Sequence, residues 1–334
     1  MPDLSPLSFI EGIFFGYRVT AALKAAIELD LFTAVAEGAD TVEALATHVG
    51  AAPRGARILA DFLTVRGFLE KADGRYRLTP DSAAFLDRRS PTYLGSIGDF
   101  LAAPEHLAIT LEDPAARVRA GGSIGLAHTA PENPIWVKFA RAMVPFMMPS
   151  AQGVAAKVTG FPVPPRRVLD VAAGHGMFGV QVARAVPGVE VAAVDWANVL
   201  AVASENAATM GVASRFRPIA GNVFEVDWEG PYDLILLPNI LHHFDAPTGT
   251  ALLRRARENL APGGRLLAVE FVPNPDRVSP PVPAMFALVM LLNTPAGDAY
   301  TAAELEVMGR DAGFRGITTE PLAPTPQTLV EFLA

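Results

Sequence analysis

Five short apolar runs alternate with helical stretches from about Phe161 onward, and this alternation limits the fold more than any other feature of the chain. The runs are RRVLDVAA, VEVAAVDW, RFRPIAG, YDLILLPN and GRLLAVEFV. Apolar strands that alternate with helices build a largely parallel sheet covered by helices on both faces. The expectation is an α/β, Rossmann-like, doubly wound domain over residues 161–334. Ligands of such sheets lie beyond the carboxyl ends of the strands.

The first hundred residues have a different texture. Apolar residues recur at helical spacing in YRVTAALKAAIELDLFTAVAEG, and the pattern breaks at Gly38. Thr41 is a plausible N-cap for VEALATHVG, which Gly50 closes, and Pro53 opens PRGARILADFLTVRGF at a permitted first-turn position. LEKADGRYRLTP then carries two strand-like runs around Asp73-Gly74, a strong hairpin signal. Helices followed by a hairpin predict a winged helix, and the domain over 1–100 is expected to be all-helical in class, with linking helices over 101–160.

A winged helix raises the question of nucleic acid, and Arg54, Arg57, Arg66, Arg75 and Arg77 lie in this region. The formal net charge of −8 argues against a partner held through its phosphates. Ile58, Leu59, Phe62, Leu63 and Val65 give the would-be recognition helix more apolar surface than its own domain needs. That excess predicts a second copy of the chain as partner, with Phe9, Phe14, Phe15 and Leu31 among the contributors. The chain has no cysteine, which removes disulfides, thiolate nucleophiles and Cys-ligated zinc and fits a cytoplasmic location. Its amino terminus lacks the basic segment of a secretory signal. AMFALVMLL, starting at Ala284, is too short for a membrane span and reads as a buried helix.

VLDVAAGHGMFG holds Gly174, Gly176 and Gly179 in the spacing GxGxxG, which alone is weak evidence for a dinucleotide. The charge ahead of it is more informative. Asp170 ends the first strand, and its carboxylate would face the space where a pyrophosphate would sit. An anion is repelled there, whereas a ligand bearing an ammonium and a sulfonium is stabilised. This predicts S-adenosylmethionine. Asp195, about twenty residues past the loop, can accept from ribose hydroxyls under either reading.

With the glycine-rich LAPGGRLL before the fifth strand, the chain resembles the class I S-adenosylmethionine-dependent methyltransferases. More closely, it resembles homodimeric small-molecule O-methyltransferases with an N-terminal winged-helix dimerisation domain. The matching pieces run almost end to end: AAIELDLFTAVAEG, GRYRLTP, VLDVAAGHG, VDWANVL, GNVF, NILHHFD, LAPGGRLLAVEFVP, TPAGDAYTAAELEVMGRDAGF and QTLVEFL. The resemblance implies that Asp170 and Gly174 lie along the methionine end of the cofactor, and that Asp195 binds the ribose. It implies that Asn222 and Phe224 flank the adenine, that His242 is the general base, and that Glu270 orients it. Gly176, Trp196, Val223 and Asn239 are expected beside the cofactor.

The chain also departs from the family pattern. Ala172 and Ala173 stand where glycines are frequent, which requires φ to stay negative there. Asn222 replaces an Asp, although its amide oxygen can still accept from the adenine amino group. Ala299 stands where a second Glu often brackets the histidine, leaving Asp298 as the adjacent carboxylate. Phe139, Met143, Met147, Met290 and His243 are expected around a small-molecule acceptor, either as a deformable clamp or as core filling. No metal is expected, since no His, Asp and Glu set has ligand spacing. Methylation at sulfur, nitrogen or carbon, a non-methylating reaction with the same cofactor, and a cofactor-binding regulator remain as alternatives.

Overall fold

The computed structural model describes residues 15–123 and 133–333, so Phe9 and Phe14 lie outside the described residues. The chain divides into two units, Met1–His106 and Leu107–Ala334.

In the first unit, α1 (Gly16–Glu28), α2 (Leu31–Ala36), α3 (Val42–His48) and α4 (Pro53–Val65) precede β1 (Leu69–Ala72) and β2 (Arg75–Leu78). The N-terminal unit is therefore not wholly helical, because β1 and β2 form an antiparallel wing. Asp73 and Gly74 join them at φ 52° and 76°, the paired left-handed geometry of a tight hairpin turn. Thr41 caps α3 by accepting from the Ala44 amide at 3.3 Å, as its position in the sequence suggests. Leu31, Phe32, Leu45, Leu63, Leu69 and Tyr76 form the core. On the surface, Arg57 pairs with Asp61 at 3.1 Å and Arg75 with Asp40 at 2.6 Å, so acids meet two of the wing-region arginines.

The second unit is built on a seven-stranded sheet. Its strands are β3 (Arg167–Val171), β4 (Glu190–Asp195), β5 (Phe216–Ala220), β6 (Tyr232–Pro238), β7 (Leu260–Glu270), β8 (Gly316–Pro321) and β9 (Thr328–Leu333), in the order β5-β4-β3-β6-β7-β9-β8. The five strands legible in the sequence pair in parallel, and β9 adds to β7 antiparallel. The chain begins at β3, moves one way through β4 and β5, then returns to the other side with β6 and β7. That reversal opens a crevice at the carboxyl ends of β3, β4 and β6. Ala261–Gly264 is absorbed into the start of β7, where the pairing with β6 shifts register.

The helices of this unit include α5 (Pro134–Ala142), α6 (Val144–Thr159), α7 (Met177–Ala185), α8 (Ala197–Thr209), α9 (Ala246–Glu258), α10 (Pro281–Asn293) and α11 (Ala302–Asp311). Among the described residues no helix is long and apolar enough to cross a membrane. The expectation of a buried helix at AMFALVMLL is corrected. In α10, Met290 and Leu292 are buried, but Met285 and Leu288 are 63% and 55% exposed. A helix apolar on all sides buries only the face its own unit covers.

Candidate active site

The glycine loop leaves β3 and enters α7. Asp170 is fully buried at the end of β3, and its Oδ2 accepts from the Gly179 amide at 2.8 Å. Its Oδ1 is buried with no hydrogen-bond partner. The carboxylate is thus half committed to the helix and half unpaired, rather than open to solvent. Burial, reinforced by the charge of Asp195 and opposed by the Gly179 amide, pushes its pKa up to about 8. Gly179 must be glycine, because a Cβ there would sit 2.7 Å from Val191 Cγ1 and 3.0 Å from Asp170 Oδ2.

Gly174 and Gly176 take φ 58° and 73°, as a loop that turns back on itself requires. Ala172 also has positive φ, 53°, which overturns the expectation that this backbone stays negative. The loop must turn there because Ala173 N already bonds Val194 O at 3.1 Å and Gly174 N reaches Asp195 Oδ2 at 2.8 Å. Asp195 takes a second amide, Trp196 N, on Oδ1 at 2.7 Å. Burial raises its pKa to about 6, against the pull of those two amides. Trp196 opens α8 and, like Trp136, packs against the cluster of Ala140, Val199 and Val202. His175 is buried and its pKa driven down to about 4 by that burial, so it is neutral near pH 7. Its Nδ1 accepts from the Met177 amide at 3.1 Å, a loop-stabilising role.

The loop after β5 carries Asn222, Val223 and Phe224. The Asn222 oxygen accepts from the Phe224 amide at 3.0 Å, and its nitrogen donates to Glu225 at 3.2 Å. One lone pair of that oxygen is therefore used in shaping the loop. Val223 accepts from the buried Trp228 indole at 3.1 Å, and Phe224 meets Phe244 edge to face at 5.2 Å.

Beyond β6, Asn239 takes φ 57° and donates from Nδ2 to Met147 Sδ at 3.7 Å. Its Oδ1 accepts from Gln327, a buried residue preceding β9. Asn239 thus joins Met147 of α6. Sequence reasoning missed Gln327, because the single polar residue that opens QTLVEFL carries no local signal of its partner.

The turn Leu241–His243 presents His242, 4% exposed, to Glu270 at the end of β7. His242 Nδ1 lies 2.5 Å from Glu270 Oε2, and Glu270 Oε1 accepts from the Leu241 amide at 2.8 Å. Phe286 meets the His242 ring edge-on at 4.9 Å and stacks on Phe271 at 4.2 Å. His243 lies 4.7 Å from His242 and 6.2 Å from Trp136, ring to ring, and burial together with His242 drives its pKa down to about 3. It therefore packs as a neutral ring. Phe139 rests against Trp136, and Met143, Met147 and Met290 are buried.

Asp298 is not brought to His242. It pairs with Arg277 at 3.3 Å, is 41% exposed in its side chain, and accepts from the Ala299 amide at 2.8 Å. The reason lies in the preceding residue. Gly297 packs against the His242 backbone carbonyl, so the segment touches the turn through its main chain and Asp298 points to the Arg277 side. Among the described residues, no group of three or more His, Asp or Glu could hold a metal.

The family profile of the O-methyltransferase domain matches residues 139–315, and that of the O-methyltransferase dimerisation domain matches residues 12–88. The chain belongs to the O-methyltransferase family. A 3-hydroxy-5-methyl-1-naphthoate 3-O-methyltransferase from Streptomyces sahachiroi is 31% identical, covering 91% of this chain and 88% of that one. The acetylserotonin O-methyltransferase of Mus musculus is 30% identical over 90% of this chain and 81% of its own. A crystal structure from Nostoc punctiforme, described as a candidate O-methyltransferase, is 44% identical with a TM-score of 0.93 and covers 99% of both chains.

This O-methyltransferase uses S-adenosylmethionine and acts on a small molecule. The residues present fit that cofactor. An unpartnered buried carboxylate oxygen on Asp170 and a second, half-buried carboxylate on Asp195 suit a cationic ligand and disfavour a pyrophosphate.

Proposed function

We propose that this O-methyltransferase methylates a hydroxyl on an aromatic small molecule, with His242 as general base and Glu270 as its positioning partner. The observation that carries this is the 2.5 Å approach of His242 Nδ1 to Glu270 beneath the Phe271 and Phe286 rings. With Nδ1–H donated to the carboxylate, the neutral ring carries its lone pair on Nε2, the nitrogen that takes the hydroxyl proton. Glu270 fixes that tautomer and stabilises the imidazolium. When bound, the cofactor supplies an electrophilic methyl group on a sulfonium. Asp170, Gly174 and Gly176 line its methionine end, Asp195 and Trp196 the ribose, and Asn222, Val223 and Phe224 the adenine.

On the acceptor side, α5 and α6, from the 101–160 segment, supply Phe139, Met143 and Met147, joined by Asn239, His243 and Met290. Asn239, expected beside the cofactor, reaches the acceptor side through its contact with Met147 and so stands between the two. An aromatic acceptor suits the phenylalanine walls and agrees with the naphthoate and acetylserotonin named for the two relatives.

The assay is methyl transfer from S-adenosylmethionine to 3-hydroxy-5-methyl-1-naphthoate, acetylserotonin and related phenols, followed by mass spectrometry. The expected result is one added methyl on oxygen, abolished or strongly reduced in His242→Ala. Transfer to oxygen at an undiminished rate in that variant would remove His242 from the mechanism.

The chain is further proposed to work as a cytoplasmic homodimer through its N-terminal unit, where Ile58 and Val65 are 42% and 84% exposed on α4. Light scattering should give twice the chain mass of 35.3 kDa. Ile58→Asp combined with Val65→Lys should shift that mass toward the single chain, and an unchanged mass would exclude α4 from the contact.

A further inference from the structure

The loop that follows β5 is held from outside by one side chain that no sequence signal singles out. After Gly221, at φ 154°, the loop satisfies its amides internally: Phe224 N bonds the Asn222 side chain, and Glu225 N and Val226 N bond Asn222 O, both at 2.9 Å. The carbonyls of Phe224 and Val226 instead accept from the two terminal nitrogens of Arg255, on α9. The guanidinium carbon lies 4.9 Å from the ring centre of the buried Trp228, whose indole N–H in turn donates to Val223 O at 3.1 Å. Arg255 Nε is buried with no hydrogen-bond partner, so the group is spent on two main-chain carbonyls and an aromatic face at the cost of one unmet donor. A planar fork that bonds two carbonyls at once fixes a loop in direction as well as position.

The place of Arg255 in α9 adds to this. That helix begins at Asp245, whose side chain caps it by accepting from Thr248 N at 2.9 Å, directly after the turn that carries His242. Arg255 lies ten residues further on, about 15 Å along the axis at helical rise. One rigid element therefore holds the His242 turn at its start and the Asn222–Phe224 loop near its end. The edge contact between Phe224 and Phe244 closes the triangle.

We propose that Arg255 is a positioning residue for the cofactor, holding the Asn222–Phe224 loop in the conformation that receives the adenine. This rests on the reading that Asn222 and Phe224 lie at the adenine end. Arg255 itself touches neither cofactor nor acceptor. Its loss is felt as weaker binding of any ligand that contains adenosine.

The test is calorimetric titration of the full-length protein with S-adenosylhomocysteine and with 5′-methylthioadenosine, which keeps the adenosine and lacks the amino-acid end. Arg255→Ala should weaken both ligands by the same factor, about 10- to 100-fold, and Arg255→Lys, which keeps the charge but cannot bond both carbonyls in one plane, should recover only part of it. Two further variants separate the possible causes. Arg167→Ala frees the far end of the same connection, where Arg167 donates to Glu229 O at 2.9 Å and Pro231 O at 2.7 Å, and should leave affinity within about twofold. Phe224→Ala tests the adenine reading directly and should weaken both ligands. Wild-type affinity in Arg255→Ala overturns the proposal: if Phe224→Ala is weakened, only the positioning role falls, and if it is not, the adenine reading falls as well. Equal losses in Arg255→Ala and Arg167→Ala also overturn it, by pointing to general loosening of the domain.

Discussion

His242 and Glu270 form a directed pair: Nδ1 lies 2.5 Å from Oε2, while Oε1 is held by the Leu241 amide at 2.8 Å, so the carboxylate grips both the ring and the turn that carries it. Removing the ring should cut turnover by about 10²- to 10⁴-fold and leave S-adenosylhomocysteine affinity nearly unchanged, because the imidazole acts on the acceptor. Glu270→Gln should lower turnover less, since an amide can still accept from Nδ1–H but stabilises the imidazolium poorly. Single-turnover rates beside calorimetry would check both. A large loss of cofactor affinity in His242→Ala would refute the division of labour.

Asp170 gives a pH prediction. Its folded pKa of about 8 lies above the ordinary value of 3.8, so between those values the folded chain holds a proton that the unfolded chain has released. The stability from that proton is complete below the lower value and is lost as pH rises through about 8. Cofactor-free protein should therefore lose stability across this window relative to Asp170→Asn, which stays neutral throughout. A bound ammonium favours the ionised carboxylate, so S-adenosylhomocysteine affinity should rise with pH up to about 8, by at most about tenfold per unit. Calorimetry in two buffers of different ionisation enthalpy would register the released proton. A flat affinity profile would sink the linkage.

Asp195 is expected to matter more for binding than for folding. Asp195→Ala removes the acceptor of both the Gly174 and Trp196 amides and, with it, the proposed ribose site. S-adenosylhomocysteine affinity should fall by about 1.5 to 3 kcal/mol, the worth of hydrogen bonds to a charged acceptor. A change below about 0.5 kcal/mol by calorimetry would show that the loop keeps its shape and its ligand without this carboxylate.

Ala172 offers a stabilising substitution. Its φ of 53° costs an L-residue about 1 to 2 kcal/mol, which glycine avoids, while glycine adds about 0.5 to 1 kcal/mol of unfolded-chain entropy. Ala172→Gly should therefore leave stability unchanged or raise it by up to about 1.5 kcal/mol in urea unfolding. A clear loss would mean that the methyl packs usefully despite its backbone.

How much of this was legible depended on whether the signal was local. The five parallel strands were readable because each is a continuous apolar run, and the wing because Asp73-Gly74 dictates its turn. The antiparallel β8 is mostly polar and exposed and carries no strand signal, whereas β9 is a short apolar run like the other five and was open to the same reading. Asp170, Asp195, His242 and Glu270 all stand at strand ends or just after one, where a parallel sheet puts its chemistry. Gln327 and Arg255 escaped notice because each acts on a loop distant in sequence. The Arg277 partner of Asp298 was illegible for a related reason: adjacency to Ala299 in sequence says nothing of which way the segment faces.

Gly297 has no room for a side chain. A Cβ at this position would lie 2.2 Å from His242 O and 2.5 Å from Thr294 Oγ1, and that hydroxyl already accepts from Gly297 N at 2.8 Å and donates to Met290 O at 2.7 Å. Neither neighbour is the free end of a flexible side chain, so Gly297→Ala must push the segment off the turn that carries His242. Stability should fall by about 1 to 3 kcal/mol, the usual cost of overpacking a tight contact. Turnover should fall further than S-adenosylhomocysteine affinity, because the displaced element is the His242 turn and not the loop that contacts Asp195. Gly55→Ala in α4 is the control, with nothing within 4 Å of its added Cβ. It should be neutral or stabilising by up to about 1 kcal/mol. Full stability together with full turnover in Gly297→Ala would show that the loop yields without disturbing His242, and the steric account of why Asp298 faces Arg277 would fail with it.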